Sequence, residues 1–320
     1  MRALVTGVAG FVGSHLAEAL VRGGHEVVGI DRFSDYYDPA IKETNVAALA
    51  TSPRFRLERV DIAEAPLAPL LDGVSHVFHC AAQAGVRASW GNEFERYARD
   101  NLLATQRLLE ASRRASLARF LYASSSSVYG NARALPVTEE APAEPISPYG
   151  ITKLAAERLG FLYHAAYGVP FVSLRLFTVY GPRQRPDMAF HRFLTALSVG
   201  RPLEVYGDGR QTRDFTYVAD AVGAFLAAAA RDAVVGETIN VAGGTRIALG
   251  DAIEVAGEVV GRKPEIRTLP KGRGDAEHTD ASIEKARRLL GFAPLTGLRE
   301  GLTQQLLWIR SQGGGVRVEG

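Results

Sequence analysis

Cysteine is almost missing from this chain of 320 residues. Cys80 stands alone, so no intramolecular disulfide can staple the fold. Long apolar runs are missing too. The longest, "AVGAFLAAAA" at 221–230, is too short to cross a bilayer and predicts a buried helix. There is no excess of one charge, since 37 Lys and Arg face 35 Asp and Glu for a net +2. No basic run interleaves with aromatics, which argues against nucleic-acid binding. The opening "MRALVTGVAGFVG" runs straight into a strand and a glycine turn, without the apolar core and cleavage site of a secretion signal. A cytoplasmic protein is the expectation. What the chain does have is apolar mass: at 47% it can fill a full core, as one large or two closely joined domains.

Short β-branched runs alternate with helical patterns through the first half. Strands are predicted at 2–7, 26–31, 55–61, 75–80, 119–124 and 170–177, with helices at 13–24, 94–115 and 149–168. Near-continuous apolar strands alternating with helices predict a doubly wound parallel α/β sheet covered on both faces. After about residue 176, Pro and Gly punctuate "YGPRQRPDM" and "GRPLEVYGDGRQTRDF", and the order breaks. The expected division is a nucleotide-binding domain over 1–175, to whose sheet 237–243 returns, and a smaller mixed α/β substrate lobe over 176–310. The tail 311–320 is expected to be flexible.

Gly7, Gly10 and Gly13 in "TGVAGFVG" follow the first strand and open the first helix. A tight turn, close backbone approach and free N–H groups at a helix N-terminus suit a pyrophosphate. By itself such a motif can be a structural turn. Asp31, at the end of the second strand, adds a carboxylate where a ribose 2′-OH is held, and it repels a 2′-phosphate. NAD is therefore favoured over NADP. Arg32 beside it weakens that preference, unless it is merely solvated.

Tyr149 and Lys153 in "SPYGITK" are four residues apart and share one helix face. A lysine ammonium beside the positive nicotinamide ring would stabilise a phenolate and lower the tyrosine pKa. An isolated Tyr-x-x-x-Lys pair is common; its position after a nucleotide fold and the serine run "YASSSSVYG" favours the catalytic reading. His76, His79 and Cys80 share a strand, but alternation sends His79 and Cys80 to opposite faces, and packing is expected rather than metal binding.

With these motifs in place, the chain resembles the extended short-chain dehydrogenase/reductase family over essentially its full length, nearest to the nucleotide-sugar epimerases. The resemblance implies a Rossmann-type sheet with NAD held by the glycine turn (Gly7, Gly10, Phe11, Val12, Gly13), Asp31, Arg32, Asp61, Ile62, Ala81, Ala82, Asn101, Tyr149 and Lys153. It implies Ser125 as the catalytic hydroxyl, three residues before the Val of "VYG", sharing a proton path with Tyr149. Arg213 in "TRDF" matches the position that grips the diphosphate, assisted by Arg273, and Tyr206 borders the base. A surface ion pair is the competing explanation for either arginine. In relatives the helices at 94–115 and 149–168 form a four-helix dimer interface, so a homodimer is implied.

The resemblance also separates the reactions. Removal of hydride at C4 of the sugar leaves a 4-keto intermediate and NADH. Dehydratases place an Asp–Glu pair just after the catalytic hydroxyl, and decarboxylases a Glu; here those positions are Ser126 and Ser127. Epimerisation needs neither acid. Thr178, where hexose epimerases of the galactose type usually have Asn, together with Arg185, "SDYYDPAIKETN" and "AAQAGVR", look like UDP-glucuronate 4-epimerases. Arg185, Ser126, Ser127 and Thr178 are expected to clamp the sugar carboxylate, keeping the β-keto acid out of alignment for loss of CO₂. Arg185 could instead pin its own loop, and Arg87 could serve phosphate, carboxylate or structure. The leading expectation is conversion of UDP-glucuronate to UDP-galacturonate. A UDP-glucose or UDP-N-acetylglucosamine 4-epimerase is the alternative, and a non-catalytic NAD-binding regulator the reading from another class.

Overall fold

Seven parallel strands form the central sheet of the structure, a computed structural model that describes residues 1–312. The chain runs β1 (Arg2–Thr6), α1 (Phe11–Arg22), β2 (Glu26–Ile30), α2 (Pro39–Ala50), β3 (Phe55–Glu58) and β4 (His76–His79). It continues through α3 (Phe94–Tyr97), α4 (Ala104–Ser112), β5 (Arg119–Ser125), α5 (Pro148–Tyr167) and β6 (Phe171–Leu176). From β1 the sheet grows one way through β2 and β3, and the other way through β4, β5 and β6. A crevice therefore opens between β1 and β4, where the strand order reverses, and ligands of such sheets bind there. The strand Thr238–Val241 pairs with β6 at the far edge, where the 237–243 run was expected to return. Of the tail expected to be flexible, 313–320 lies outside the described residues.

The expected helix over 94–115 is present but not uniform. Between α3 and α4, Ala98–Leu103 widens into a π-helical stretch, and Asn101 sits inside it. The extra residue in the turn accompanies an inward-facing Asn101 amide, which accepts from the Gln83 amide at 2.7 Å and donates to the Thr152 hydroxyl at 3.0 Å. Helix α2 was not among the expected helices. Its signal was local: Asp38 caps the Ala40 amide at 2.9 Å, with Pro39 at the first helical position. Helix α5 carries both end signals, since the Ser147 hydroxyl accepts from the Gly150 amide at 3.1 Å and Gly168 closes the helix at φ 71°.

Beyond β6 the strands are short. Val179–Tyr180 pairs with Thr216–Tyr217, Leu203–Tyr206 with Ile266–Leu269, and Thr212–Asp214 with Arg246–Ala248. Helix α6 (Ala189–Ser198) packs among them, and α7 (Val218–Ala229) is the buried helix predicted at 221–230. The apolar core divides accordingly. One cluster, with Phe78, Leu121 and Phe225, and a second, with Leu4, Phe120 and Phe171, belong to the central sheet. A third, with Phe190, Leu203, Ile253 and Leu306, belongs to the later segments.

One buried ion pair crosses the sheet core. Arg175 on β6 donates to Glu157 on α5 through Nη2 at 2.6 Å and Nε at 3.1 Å. The same carboxylate accepts from Ser124 on β5 at 2.9 Å and Ser173 on β6 at 2.7 Å. Burial alone would raise the Glu157 carboxyl, but the Arg175 guanidinium and the serine hydroxyls hold it below its ordinary value. Removing one partner of such a pair strands a buried charge. We expect Glu157→Ala to lose roughly 3–5 kcal/mol in urea unfolding. A Glu157→Leu/Arg175→Met double variant should recover most of that loss, because neither charge is left unpaired.

Candidate active site

The C-terminal ends of the strands open into a cavity of about 680 Å³ that follows the crevice from the glycine turn to Tyr206. At one end Gly7 adopts φ 68° and donates its amide to the Ile30 carbonyl at 2.8 Å. A Cβ on Gly13 would lie 2.2 Å from the Gly7 carbonyl oxygen, so only glycine lets helix α1 start this close to the turn. Gly10 caps α1 without a side-chain bond, and no acid stands in the first turn. The helix N-terminus thus keeps amides and positive potential for an anion, which fits the pyrophosphate of a dinucleotide. Phe11 and Val12 line the cavity beside it.

The carboxylate of Asp31 accepts from the amides of Ala9 at 3.1 Å and Phe33 at 2.8 Å. Lys42, which sequence reasoning missed, brings its ammonium to 3.8 Å from Asp31 and donates to Ser34 at 3.0 Å. Arg32 is not merely solvated. It pairs with Asp61 at 3.2 Å and with Asp100 at 2.5 Å, so its charge is already met by protein carboxylates. Asp61 also takes Arg99 at 2.8 Å and the Ala63 amide at 2.8 Å. Asp31, Arg32, Asp61, Ile62, Ala81 and Ala82 all line the cavity. Asn101 does not, because its amide is spent on Gln83 and Thr152 behind the wall.

At the centre Ser125 ends β5. Its hydroxyl accepts from the Ser127 amide at 3.1 Å, which leaves its proton free toward the Tyr149 phenol. Tyr149 is the second residue of α5, with Lys153 one turn further on the same face. Burial raises the Tyr149 phenol, and the Ser125 hydroxyl and the Arg185 cation oppose that rise. Lys153 holds its ammonium 4.3 Å from the centre of the Tyr122 ring, and burial pushes it down to about 7, against Cys80 and Glu157. Ser124, first of the serine run, is buried and committed to Glu157. His79 is likewise committed, between the hydroxyls of Thr6 at 2.7 Å and Thr105 at 2.8 Å.

Toward the far end the wall holds Ser126, Ser127, Thr178, Arg185, Asp187 and Met188. Arg185 bonds no backbone carbonyl among the described residues, but its partner belongs to its own loop. It forks onto Asp187, Nε to Oδ1 at 3.0 Å and Nη2 to Oδ2 at 2.9 Å. Arg87 lies 3.8 Å over the Tyr206 ring and binds Asp275 through Nε at 2.9 Å and Nη2 at 2.6 Å. The two arginines expected at the diphosphate, Arg213 and Arg273, stand outside the lining. Arg213 turns onto the carbonyls of Thr212 at 2.8 Å and Glu277 at 3.1 Å, and Arg273 is exposed. Asp187 and Asp275 escaped sequence reasoning because an acid shows its partner only once the loops are folded. Among the described residues no group of three or more His, Cys, Asp and Glu could hold a metal ion.

A doubly wound sheet with a capless glycine turn at its switch point is a dinucleotide-binding fold. The chain belongs to the NAD dependent epimerase/dehydratase family, which matches over residues 3–242. It is 44% identical over 312 residues to an uncharacterised UDP-glucose epimerase of Bacillus subtilis, covering 97% of this chain and 98% of that one. It is 36% identical over 310 residues to the UDP-glucuronate 4-epimerase of Thermodesulfobacterium geofontis, covering 95% of each. Among solved structures, the Bacillus cereus UDP-glucuronic acid 4-epimerase, in complex with UDP-glucuronic acid and NAD, superposes with a TM-score of 0.95. That pair shares 41% identity, covering 98% of this chain and 100% of the other.

The depressed lysine has a measurable signature in the cofactor-free protein. Unfolded, Lys153 keeps its proton to about 10.4; folded, only to about 7, so the unfolded state binds more protons between them. Its penalty on stability is full below pH 7 and fades as pH rises. Lys153→Met should therefore raise the urea midpoint above wild type at pH 6.5, with a smaller gain at pH 9.5.

Proposed function

We propose that this protein is an NAD-dependent isomerase that inverts C4 of UDP-glucuronate to give UDP-galacturonate. The observation that carries this reading is the wall around Tyr149. It places Arg185 and three neutral hydroxyls, Ser126, Ser127 and Thr178, in one cavity, with serines where elimination would need an acid and a base. NAD is held by the glycine turn, Asp31, Asp61, Ile62, Ala81, Ala82 and the Tyr149–Lys153 helix, with Lys42 added at the ribose end. The chemistry supplied by bound NAD is reversible two-electron oxidation at C4. Tyr149 takes the C4 hydroxyl proton through Ser125 and returns it to the C4 oxygen after the 4-keto sugar has turned its other face to the cofactor. Lys153 supports the phenolate. Arg185 and the hydroxyls hold the carboxylate charged and away from alignment with the C4 carbonyl, which opposes loss of CO₂. Arg87 faces the diphosphate, and Arg213, beside Arg87 and Asp275, adds positive charge behind it.

The same reading divides the chain into an NAD-binding part, 1–175 with 237–243, and a sugar-binding part, 176–310. It assigns the protein to the cytoplasm, where NAD and nucleotide sugars are drawn from common pools. No helix among the described residues is long and apolar enough to cross a membrane. It also includes a homodimer. Phe94, Leu103, Ile151, Leu162 and Tyr167 leave large apolar side chains exposed along the α3–α4 and α5 segments, a surface that a second copy would cover. In light scattering the wild type should have twice the chain mass, and Leu162→Asp should shift it toward one chain without loss of helix signal.

A second reading, a UDP-glucose 4-epimerase, is favoured by the description of the Bacillus subtilis relative. Incubation with UDP-glucuronate, UDP-glucose and UDP-N-acetylglucosamine, with products resolved by chromatography, separates the two. Galacturonate from the first alone supports the uronate reading; galactose from the second alone replaces it. Arg185→Ala should lose roughly 10-fold or more in kcat/KM for UDP-glucuronate, the scale of a charge-assisted hydrogen bond, and leak a pentose product. Full retention of kcat/KM would remove the clamp.

A further inference from the structure

The loop that carries Arg185 is fixed at its base and more exposed at its crest. The Gln184 side chain is buried, donating to the Val179 carbonyl at 3.1 Å and accepting from the His191 amide at 3.0 Å and Gln305 at 2.8 Å. His15 of α1 hydrogen-bonds the Pro182 carbonyl at 2.9 Å, and Arg183 reaches Glu18 of the same helix at 2.5 Å. At the crest, the Arg185–Asp187 fork stands nearly free of this scaffold. The Asp187 side chain is 40% exposed, against 19% for Arg185, and the Tyr36 phenol faces it.

The fork uses the Nε edge of the guanidinium. Two donors, on Nη1 and the outer side of Nη2, remain in the edge that a sugar carboxylate can take. That edge belongs to a pair with almost no net charge. During epimerisation the 4-keto sugar must present its other face, so its carboxylate has to loosen from its anchor and seat again within one turnover. An unpaired guanidinium would bind a carboxylate more tightly and resist that turn.

We infer that Asp187 is a positioning and specificity-determining residue: it holds Arg185 on one edge and tempers its charge, so that a uronate is recognised without being immobilised. The inference rests on the uronate reading above. It predicts opposite effects on binding and turnover, which simple loop damage does not.

The test uses the NAD-loaded protein. Dissociation constants for UDP-glucuronate and UDP-glucose are measured by calorimetry, and kcat with UDP-glucuronate, for wild type, Asp187→Asn and Asp187→Glu. Asp187→Asn should bind UDP-glucuronate about three- to fivefold more tightly, the scale of one partly exposed charge pair, and lower kcat by at least about the same factor. Its affinity for UDP-glucose, which has no carboxylate, should stay within about twofold of wild type. Asp187→Glu should restore both constants toward wild type. Weaker binding of UDP-glucuronate, equal changes for both sugars, or an unchanged kcat would overturn the inference. Failure of the wild type itself to convert UDP-glucuronate would instead overturn the uronate reading on which it stands.

Discussion

The site depends on one buried carboxylate. Glu157 gathers Arg175, Ser173 and Ser124, and so ties α5 to β6 and β5 at a single point inside the core. Each of the three elements then delivers a working group into the cavity. Helix α5 brings Tyr149 and Lys153, β5 ends on Ser125, and β6 leads into Thr178 and the Arg185 loop. Apolar packing alone lets a helix slide on a sheet by fractions of an ångström at little cost. A desolvated ion pair with both oxygens engaged does not, because any slide leaves charge without a partner. The proposed proton transfer between Ser125 and Tyr149 needs hydrogen-bond reach, so this rigidity would matter for chemistry as well as stability.

Apart from Lys153, charge in the cavity is arranged in pairs rather than as a field. At the ribose end Lys42 faces Asp31, and Arg32 is divided between Asp61 and Asp100. At the sugar end Arg87 leans on Asp275 and Arg185 on Asp187. In the proposed function, a dianionic diphosphate and a uronate would therefore meet oriented donors with much of their charge already balanced. Such a site selects by geometry and by the number of hydrogen bonds more than by long-range attraction. This suits the proposed reaction, in which the sugar has to move between two half-reactions while its nucleotide stays held.

Much of this was legible in the residues. The glycine turn, Asp31, the serine run and the Tyr149–Lys153 pair all line the cavity, because their spacing within one turn or one strand end sets their placement. Ser124 read only as the end of a strand, whereas it is one ligand of the Glu157 cluster. Arg213 and Arg273 were sought in the lining by motif, and their loops turn them elsewhere. Asn101 was sought at the cofactor, but the π-helical stretch folds its amide onto Gln83 and Thr152.

By itself, the sequence determined whatever depends on neighbours along the chain. The parallel sheet, the capless start of α1, the caps of α5 and the shared face of Tyr149 and Lys153 all follow from periods of two and 3.6 residues and from the backbone freedom of glycine. Only the tertiary structure decided which charges remain available to a ligand. Arg87 meets Asp275 across 188 residues, and Arg32 meets Asp100 across 68. Ion pairs depend on distance in space and on exclusion of water, and neither is encoded in any short window of residues.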